Sequence, residues 1–267
     1  MFGKSLFQSH QHNDFEFLKI SKGTEDSPDL VFLHGMFGGL SNYDALVDYI
    51  DDYNIYVPSI PLYDFSVRQL KFTKMAKWLH SFMEEMDIKN PILLGNSMGG
   101  HLALEYTVQN PDNVAALILT GSSGLQERDF GSTFPRRNDR DYVRQQAAIT
   151  FYDDDFVTEE LMDEIMEVIN DRGNLLNVLA IARETHEYSM EKYLPEIKQD
   201  VLLIWGKQDE ITPPEVAEQF HKDLPNSRLK WIDECGHAPM MEHPKKFALY
   251  LNEFLVELKN KNATSIQ

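Results

Sequence analysis

Pro91-Ile92-Leu93-Leu94 runs into Gly95-Asn96-Ser97-Met98-Gly99-Gly100, and His101-Leu102-Ala103-Leu104-Glu105-Tyr106 follows. The first four residues are an apolar run of strand character and the last six carry a helical pattern, so the residues between them must turn strand into helix. Glycines two before and two after a serine allow that turn to be sharp. The turn lifts the Ser97 hydroxyl clear of the sheet and sets it at a helix N-terminus, where exposed N–H groups favour developing negative charge. The pattern is G-x-S-x-G, and it makes Ser97 a candidate nucleophile.

Around this turn, short β-like runs alternate with helix-length segments, the signature of a mainly parallel sheet covered by helices. Strands are predicted near Phe15–Ile20, Leu30–Leu33, Ile55–Val57, Ile92–Leu94, Val114–Leu119, Val201–Trp205 and Leu229–Ile232. Helices are predicted near Tyr43–Ile50, Ser66–Glu85, Met98–Gln109, Glu215–Lys222 and Lys245–Leu258, with a frayed tail from Asn260. The alternation breaks between Ser122 and Pro195, where arginines (Arg128, Arg136, Arg137, Arg140, Arg144) and helical patterns replace strands. The chain therefore divides into a core, residues 1–121 and 196–267, and a helical insertion, residues 122–195, too long for a simple loop. A lid over the site and a helical subdomain without a chemical role are both open readings.

A serine hydroxyl needs a base to take its proton, and a carboxylate to orient that base. Both are expected after Ser97, in the order Ser, Asp, His. Val201-Leu202-Leu203-Ile204-Trp205-Gly206-Lys207-Gln208-Asp209 is a buried strand entering a loop that ends in an acid. Leu229-Lys230-Trp231-Ile232-Asp233-Glu234-Cys235-Gly236-His237 is another, ending in a histidine. Each lies past the carboxyl end of a strand, where open α/β sheets build their sites. Rivals are Glu210, Asp233 and Glu234 for the acid and His101, His186 and His243 for the base, while His34 reads as a loop brace. An oxyanion would need two N–H donors: Met98, which follows the nucleophile, and Met36 in His34-Gly35-Met36-Phe37-Gly38-Gly39, with Phe37 as the fallback.

Composition narrows the class. Apolar residues make up 42% of the 267, enough for a sizeable core, and the net charge of −18 repels nucleic acid and anionic membranes, leaving a small molecule as the expected partner. Cys235 stands alone, so no disulfide forms within the chain. The polar start of the chain and the short apolar runs predict a cytoplasmic protein with no signal peptide or membrane span.

The set in order (His34-Gly35, the Ser97 turn, the insertion, Trp205-Gly206-Lys207-Gln208-Asp209 and Cys235-Gly236-His237-Ala238-Pro239) resembles the α/β-hydrolase superfamily over essentially the whole chain. That resemblance implies an eight-stranded, mostly parallel sheet with one antiparallel strand, no cofactor and no metal, and a Ser97–His237–Asp209 triad. A serine nucleophile argues against the epoxide hydrolases and haloalkane dehalogenases of this fold, which use aspartate. Gly95-Asn96-Ser97-Met98-Gly99-Gly100 is similar to the elbow of the meta-cleavage-product hydrolases, which cut C–C bonds, and Ser41-Asn42-Tyr43 resembles a segment bearing one of their substrate-contacting asparagines. Asn42 and Asn96 are thus candidate substrate contacts, or equally local braces of the backbone. Ala238 departs from that branch, which places tryptophan after the histidine, and no motif aligns Arg172 or Arg183 with its carboxylate-binding arginine. The Gly236-His237-Ala238-Pro239 and Glu242-His243-Pro244 pieces resemble generic carboxylesterases. The expectation is a carboxylic-ester hydrolase working through an acyl-enzyme, with C–C hydrolysis as the alternative. A receptor without turnover would be marked by a lost triad member, and none is lost. Phe37, Met98, Met240, Phe130, Phe134, Phe151 and Tyr152 are candidate pocket residues.

Overall fold

The computed structural model describes residues 8–24, 27–125 and 139–265. Eight strands form one sheet: β1 (Gln8–His12), β2 (Phe15–Ser21), β3 (Asp29–Leu33), β4 (Asn54–Pro58), β5 (Ile92–Asn96), β6 (Ala116–Thr120), β7 (Asp200–Gly206) and β8 (Ser227–Ile232). Their spatial order is β1-β2-β4-β3-β5-β6-β7-β8. β2 pairs antiparallel with both neighbours and every other pairing is parallel, so β2 alone runs against the sheet. This is the α/β-hydrolase sheet that the resemblance implied.

Period-2 alternation divides the strand residues between two cores. Val31, Leu33, Leu93, Leu117, Leu119, Leu203 and Trp205 face one side. There they meet α2 (Phe72–Glu85), α3 (Met98–Gln109) and α7 (Pro214–Asp223). Leu30, Phe32, Leu94, Ile118, Leu202 and Ile204 face the other. Their partners are α1 (Asp44–Val47), α8 (Pro239–Glu242) and α9 (Pro244–Ser265), through residues such as Leu46, Met240, Phe247, Leu251 and Phe254. On α2 the buried residues Phe72, Met75, Ala76, Leu79, Phe82 and Met83 recur at helical spacing.

Several boundaries differ from the sequence expectation. β1 carries no apolar alternation; it forms because Asn13, at φ 51°, turns the chain back so that Gln8–His12 pairs with Phe15–Lys19. The helix expected from Ser66 starts at Phe72, because Gln69 Oε1 accepts both the N–H and the hydroxyl of Ser66 and closes a turn there. The helix expected over Tyr43–Ile50 shortens to α1. Instead of fraying at Asn260, α9 runs on to Ser265, and Lys261 on it pairs with Asp200 at the start of β7.

Between β6 and β7 the described residues hold α4 (Arg140–Ala148), α5 (Glu159–Asn170) and α6 (Arg172–Glu187), with no strand. Asp139, Thr158 and Asp171 cap them through side-chain oxygens, each accepting a backbone N–H three residues on. The helices share a core of Val143, Val157, Met162, Ile165, Ile169 and Leu175, and Arg140 and Arg144 pair with Glu159. Arg128, Phe130, Phe134, Arg136 and Arg137 lie outside the described residues. Among the described residues, no helix is long and apolar enough to cross a membrane.

The packing of α3 on the sheet depends on glycine. A Cβ on Gly99 would stand 2.0 Å from the Leu33 carbonyl oxygen, backbone that cannot swing aside. Gly99→Ala is therefore expected to cost about 1–3 kcal/mol or more of unfolding free energy, read as a fall in Tm. An unchanged Tm would contradict this packing.

Candidate active site

Ser97 is the turn residue between β5 and α3, with φ 54° and ψ −122°. A β-side-chain residue at positive φ is strained, typically by about 1–3 kcal/mol, and persists only where its surroundings hold it. They do so here through backbone bonds. Ser97 N–H donates to Thr120 O at 3.2 Å, and Ser97 O accepts from Gly100, His101 and Ser123 N–H groups at 3.0–3.2 Å. Asn96 and Met98 on either side are buried, while Ser97 remains partly exposed.

Asp209 and His237 meet across the loops that leave β7 and β8. His237 Nδ1 lies 2.9 Å from Asp209 Oδ2 and 3.1 Å from Oδ1, both side chains being buried. Asp209 Oδ1 also accepts Ile211 and Thr212 N–H groups, and Oδ2 accepts the Thr212 hydroxyl at 2.9 Å. The His237 loop is tied to the serine turn by Asn96, whose Nδ2 donates to both Thr120 O and His237 O at 3.0 Å. The His34 loop closes from the opposite side: a Cβ on Gly35 would come within 3.4 Å of Ser97 Cβ. Serine, imidazole and carboxylate thus sit on loops at the carboxyl ends of parallel strands, the His237 loop tied to the serine turn through the Asn96 side chain and to Asp209 through its own imidazole.

A family model described as the alpha/beta hydrolase family matches residues 30–248. The chain belongs to that family. Among solved structures, this hydrolase is similar to MGS-MChE2, an alpha/beta hydrolase enzyme from a lagoon-sediment metagenome of Mar Chica, Morocco. The identity is 38% and the TM-score 0.76, covering 94% of this chain and 98% of that one. Among curated relatives it is 26% identical to the monoacylglycerol lipase ABHD6 of Mus musculus, over 93% of this chain and 82% of that protein. It is 28% identical to the 2-hydroxy-6-oxononadienedioate/2-hydroxy-6-oxononatrienedioate hydrolase of Cupriavidus pinatubonensis, over 66% of each.

In this hydrolase the rival residues take other places. Asp233 is exposed and paired with Lys207, Glu210 and Glu234 are exposed, and His186 lies on the outer surface of α6. His243 Nε2 bonds Glu234 O. His34 is a brace: its Nε2 accepts Ile60 N–H at 3.1 Å and its Nδ1 bonds Gly35 O at 2.8 Å. Burial holds His34 below the usual imidazole range, with the Gly35 contact opposing. His101 is fully buried and stacks on Phe72 at 3.6 Å with Tyr188 at 5.7 Å, and burial pushes it down to about 3.

The candidate substrate contacts divide. Asn96 is 4% exposed and both its amide hydrogens go to backbone carbonyls, so it braces the turn and offers a substrate no donor. Asn42 Oδ1 accepts Gly39 N–H at 3.3 Å inside the loop that carries Met36. Phe37 is 41% exposed on that loop. Met98 and Met240 are buried in the two cores and do not present an open surface. Met98 heads α3, so its N–H lies outside the helical ladder; the Met36 turn is closed by Gly38 N–H on Gly35 O.

Three residues of the site were not anticipated. Thr212 touches Asp209 and His237 and follows Asp209 by three residues. The Tyr43 hydroxyl donates to Leu33 O at 2.8 Å and accepts from Asn96 N–H, spanning β3 and the serine turn. Glu242 accepts Gly236 N–H at 2.9 Å and Tyr152 N–H at 2.8 Å, and burial raises its proton affinity. Glu-His-Pro was visible as a motif piece, but these long-range contacts have no local signature.

Two outcomes test this arrangement. Asn96→Ala should lower stability by about 1–3 kcal/mol, because two carbonyls lose a buried donor. A raised KM with unchanged stability would instead make Asn96 a substrate contact. For His101 the folded value lies below the ordinary 6.5, so the unfolded chain binds the proton first. Stability should therefore fall as pH drops from about 6.5 towards 3, and His101→Leu should lose less over that window in urea titrations.

Proposed function

We propose that this hydrolase cleaves a carboxylic ester of a small to medium, largely apolar substrate through an acyl-enzyme on Ser97. The observation that carries the reading is the buried Asp209–His237 pair tied, through Asn96, to the strained turn that presents Ser97. His237 takes the Ser97 proton, Ser97 attacks the carbonyl, and the N–H groups of Met36 and Met98 receive the oxyanion. Asp209 fixes the tautomer of His237 and stabilises the imidazolium; water then releases the acid product.

Residues 122–195 serve as the cap of a core made from 1–121 and 196–267. Supporting this, Thr150 O accepts His237 N–H at 2.7 Å, and Tyr152, 50% exposed, stands beside it. The exposed aromatic rings of Phe37, on the His34 loop, and Tyr152, on the insertion, are candidate apolar surface for an uncharged acyl or alcohol part. The surplus of negative charge favours a small neutral substrate over a polyanion.

Two observations favour the ester over the C–C substrate. Arg183 is exposed and paired with Glu187 at 2.9 Å, and Arg172 is exposed at the start of α6. Their exposure, and the pairing of Arg183, support the ester reading over one that needs a committed carboxylate-binding arginine. The amide of Asn96 is also already committed to backbone. The relatives' names span both chemistries, a monoacylglycerol lipase and an oxononadienedioate hydrolase, so the assay must compare them.

Short-chain p-nitrophenyl esters and a ring-cleavage dienoate are assayed side by side. The expected result is a higher kcat/KM for the ester, a fall of about 10³-fold or more in Ser97→Ala, and activity lost on acidification as the base protonates. Higher kcat/KM on the dienoate would transfer the function to C–C hydrolysis. A fully active Ser97→Ala would remove the nucleophile assignment.

A further inference from the structure

Asp209 is held by more than the histidine. Two of its partners, the N–H groups of Ile211 and Thr212, follow from the turn itself and would be present with any side chains. The third is a side chain. The Thr212 hydroxyl lies 2.9 Å from Asp209 Oδ2 and 3.3 Å from His237 Nδ1, so one oxygen touches both groups.

Thr212 is fully buried, and its carbonyl accepts the Trp205 indole N–H at 2.8 Å. The strand that delivers Asp209 therefore also fixes the backbone of Thr212. A β-branched side chain is stiff at χ1, and Pro213 restricts the residue before it to extended backbone. A valine would fill the same volume, so packing alone does not account for a hydroxyl here.

We propose that Thr212 is a positioning residue for the hydrolysis: its hydroxyl donates to Asp209 Oδ2 and, 3.3 Å from His237 Nδ1, holds that carboxylate oxygen against the imidazole. This rests on the reading of Ser97, His237 and Asp209 as the reacting set. Donation fixes the plane of the carboxylate against Nδ1 and draws off part of its charge. Without the hydroxyl, more negative charge faces the imidazole, the imidazolium is favoured, and the base keeps its proton to higher pH. The carboxylate also gains freedom about χ2, which misaligns the ring in the transition state.

The other groups around His237 do not change with this substitution. Glu242 bonds the neighbouring Gly236 N–H, and the Cys235 thiol is kept protonated chiefly by burial. The insertion offers the Thr150 carbonyl and the serine turn offers the Asn96 amide, neither of which titrates.

The test compares wild type, Thr212→Val and Thr212→Ser by the pH dependence of ester hydrolysis and of Ser97 labelling with a fluorophosphonate. Thr212→Val should move the acidic limb upward by about half to one pH unit and lower kcat about tenfold with KM little changed. Thr212→Ser, which keeps the hydroxyl, should restore both. In an Asp209→Asn background Thr212→Val should cost nothing further in kcat, because it acts through the carboxylate. A wild-type limb and kcat in Thr212→Val, or effects that add in full on Asp209→Asn, would overturn the proposal. Thr212→Ala carries the same comparison should the valine variant not fold. Labelling of wild type but not of Ser97→Ala establishes the underlying reading separately. No labelling of wild type overturns that reading and this proposal with it, whereas labelling with an unaltered Thr212→Val overturns this one alone.

Discussion

Ser97 occupies a backbone conformation that a residue with a side chain avoids, and the centre of the sheet exists in a form that leaves it no other. Its N–H is taken by Thr120 at the end of β6, and its carbonyl receives three N–H donors from α3 and the segment after β6. Gly95 and Gly99 let α3 lie directly on β5 and β3; a Cβ on Gly95 would be 2.5 Å from the backbone of Gly100. Three adjacent parallel strands and one helix are therefore locked around a single residue. The strain of about 1–3 kcal/mol is small against the packing that would have to be undone to relieve it. The same lock sets where the hydroxyl stands relative to the His34 and His237 loops.

Much of this was legible because the decisive features are local. A G-x-S-x-G turn needs its glycines within two residues of the serine, and Asp209 and His237 each follow an apolar run that ends at a loop. Alternating strands and helices likewise announce themselves by period. What stayed hidden is long-range. Asn96 was ambiguous between substrate and backbone because its partners, Thr120 and His237, are 24 and 141 residues away. Tyr43 read as the start of a helix, yet its hydroxyl spans two strands. β1 has no apolar pattern and is specified by pairing to β2, which no periodicity within five polar residues can show.

The attachment of the helical insertion follows the same logic. Asn177 on α6 donates one amide group to the carbonyls of Leu62, Tyr63 and Phe65, anchoring the helix on the loop after β4. Lys71 pairs with the buried Glu184, and Tyr188 donates to the buried Glu105 on α3 at 2.9 Å. At the other end Thr150 and Tyr152 are bonded to the His237 loop and to Glu242. A carboxylate buried in this way is costly to leave unpaired, so each of these contacts resists separation more than an exposed ion pair would. Movement of the described insertion relative to the core would therefore be felt directly at the backbone of His237.

The surroundings of the buried imidazoles also differ in how well they suit the proposed base. Among the described residues three histidines are buried: His34, His101 and His237. Desolvation opposes the charged form of His34 and His101, and nothing anionic stands against it there. His34 spends both ring nitrogens on backbone, and His101 packs in a cluster with the Phe72 and Tyr188 rings. A general base must become a cation in the transition state, which neither site would stabilise. His237 alone of the three meets a carboxylate, and that carboxylate is itself fixed by Ile211 and Thr212. The environment, more than residue type or proximity in the chain, separates the candidate base His237 from two histidines held by backbone and aromatic contacts.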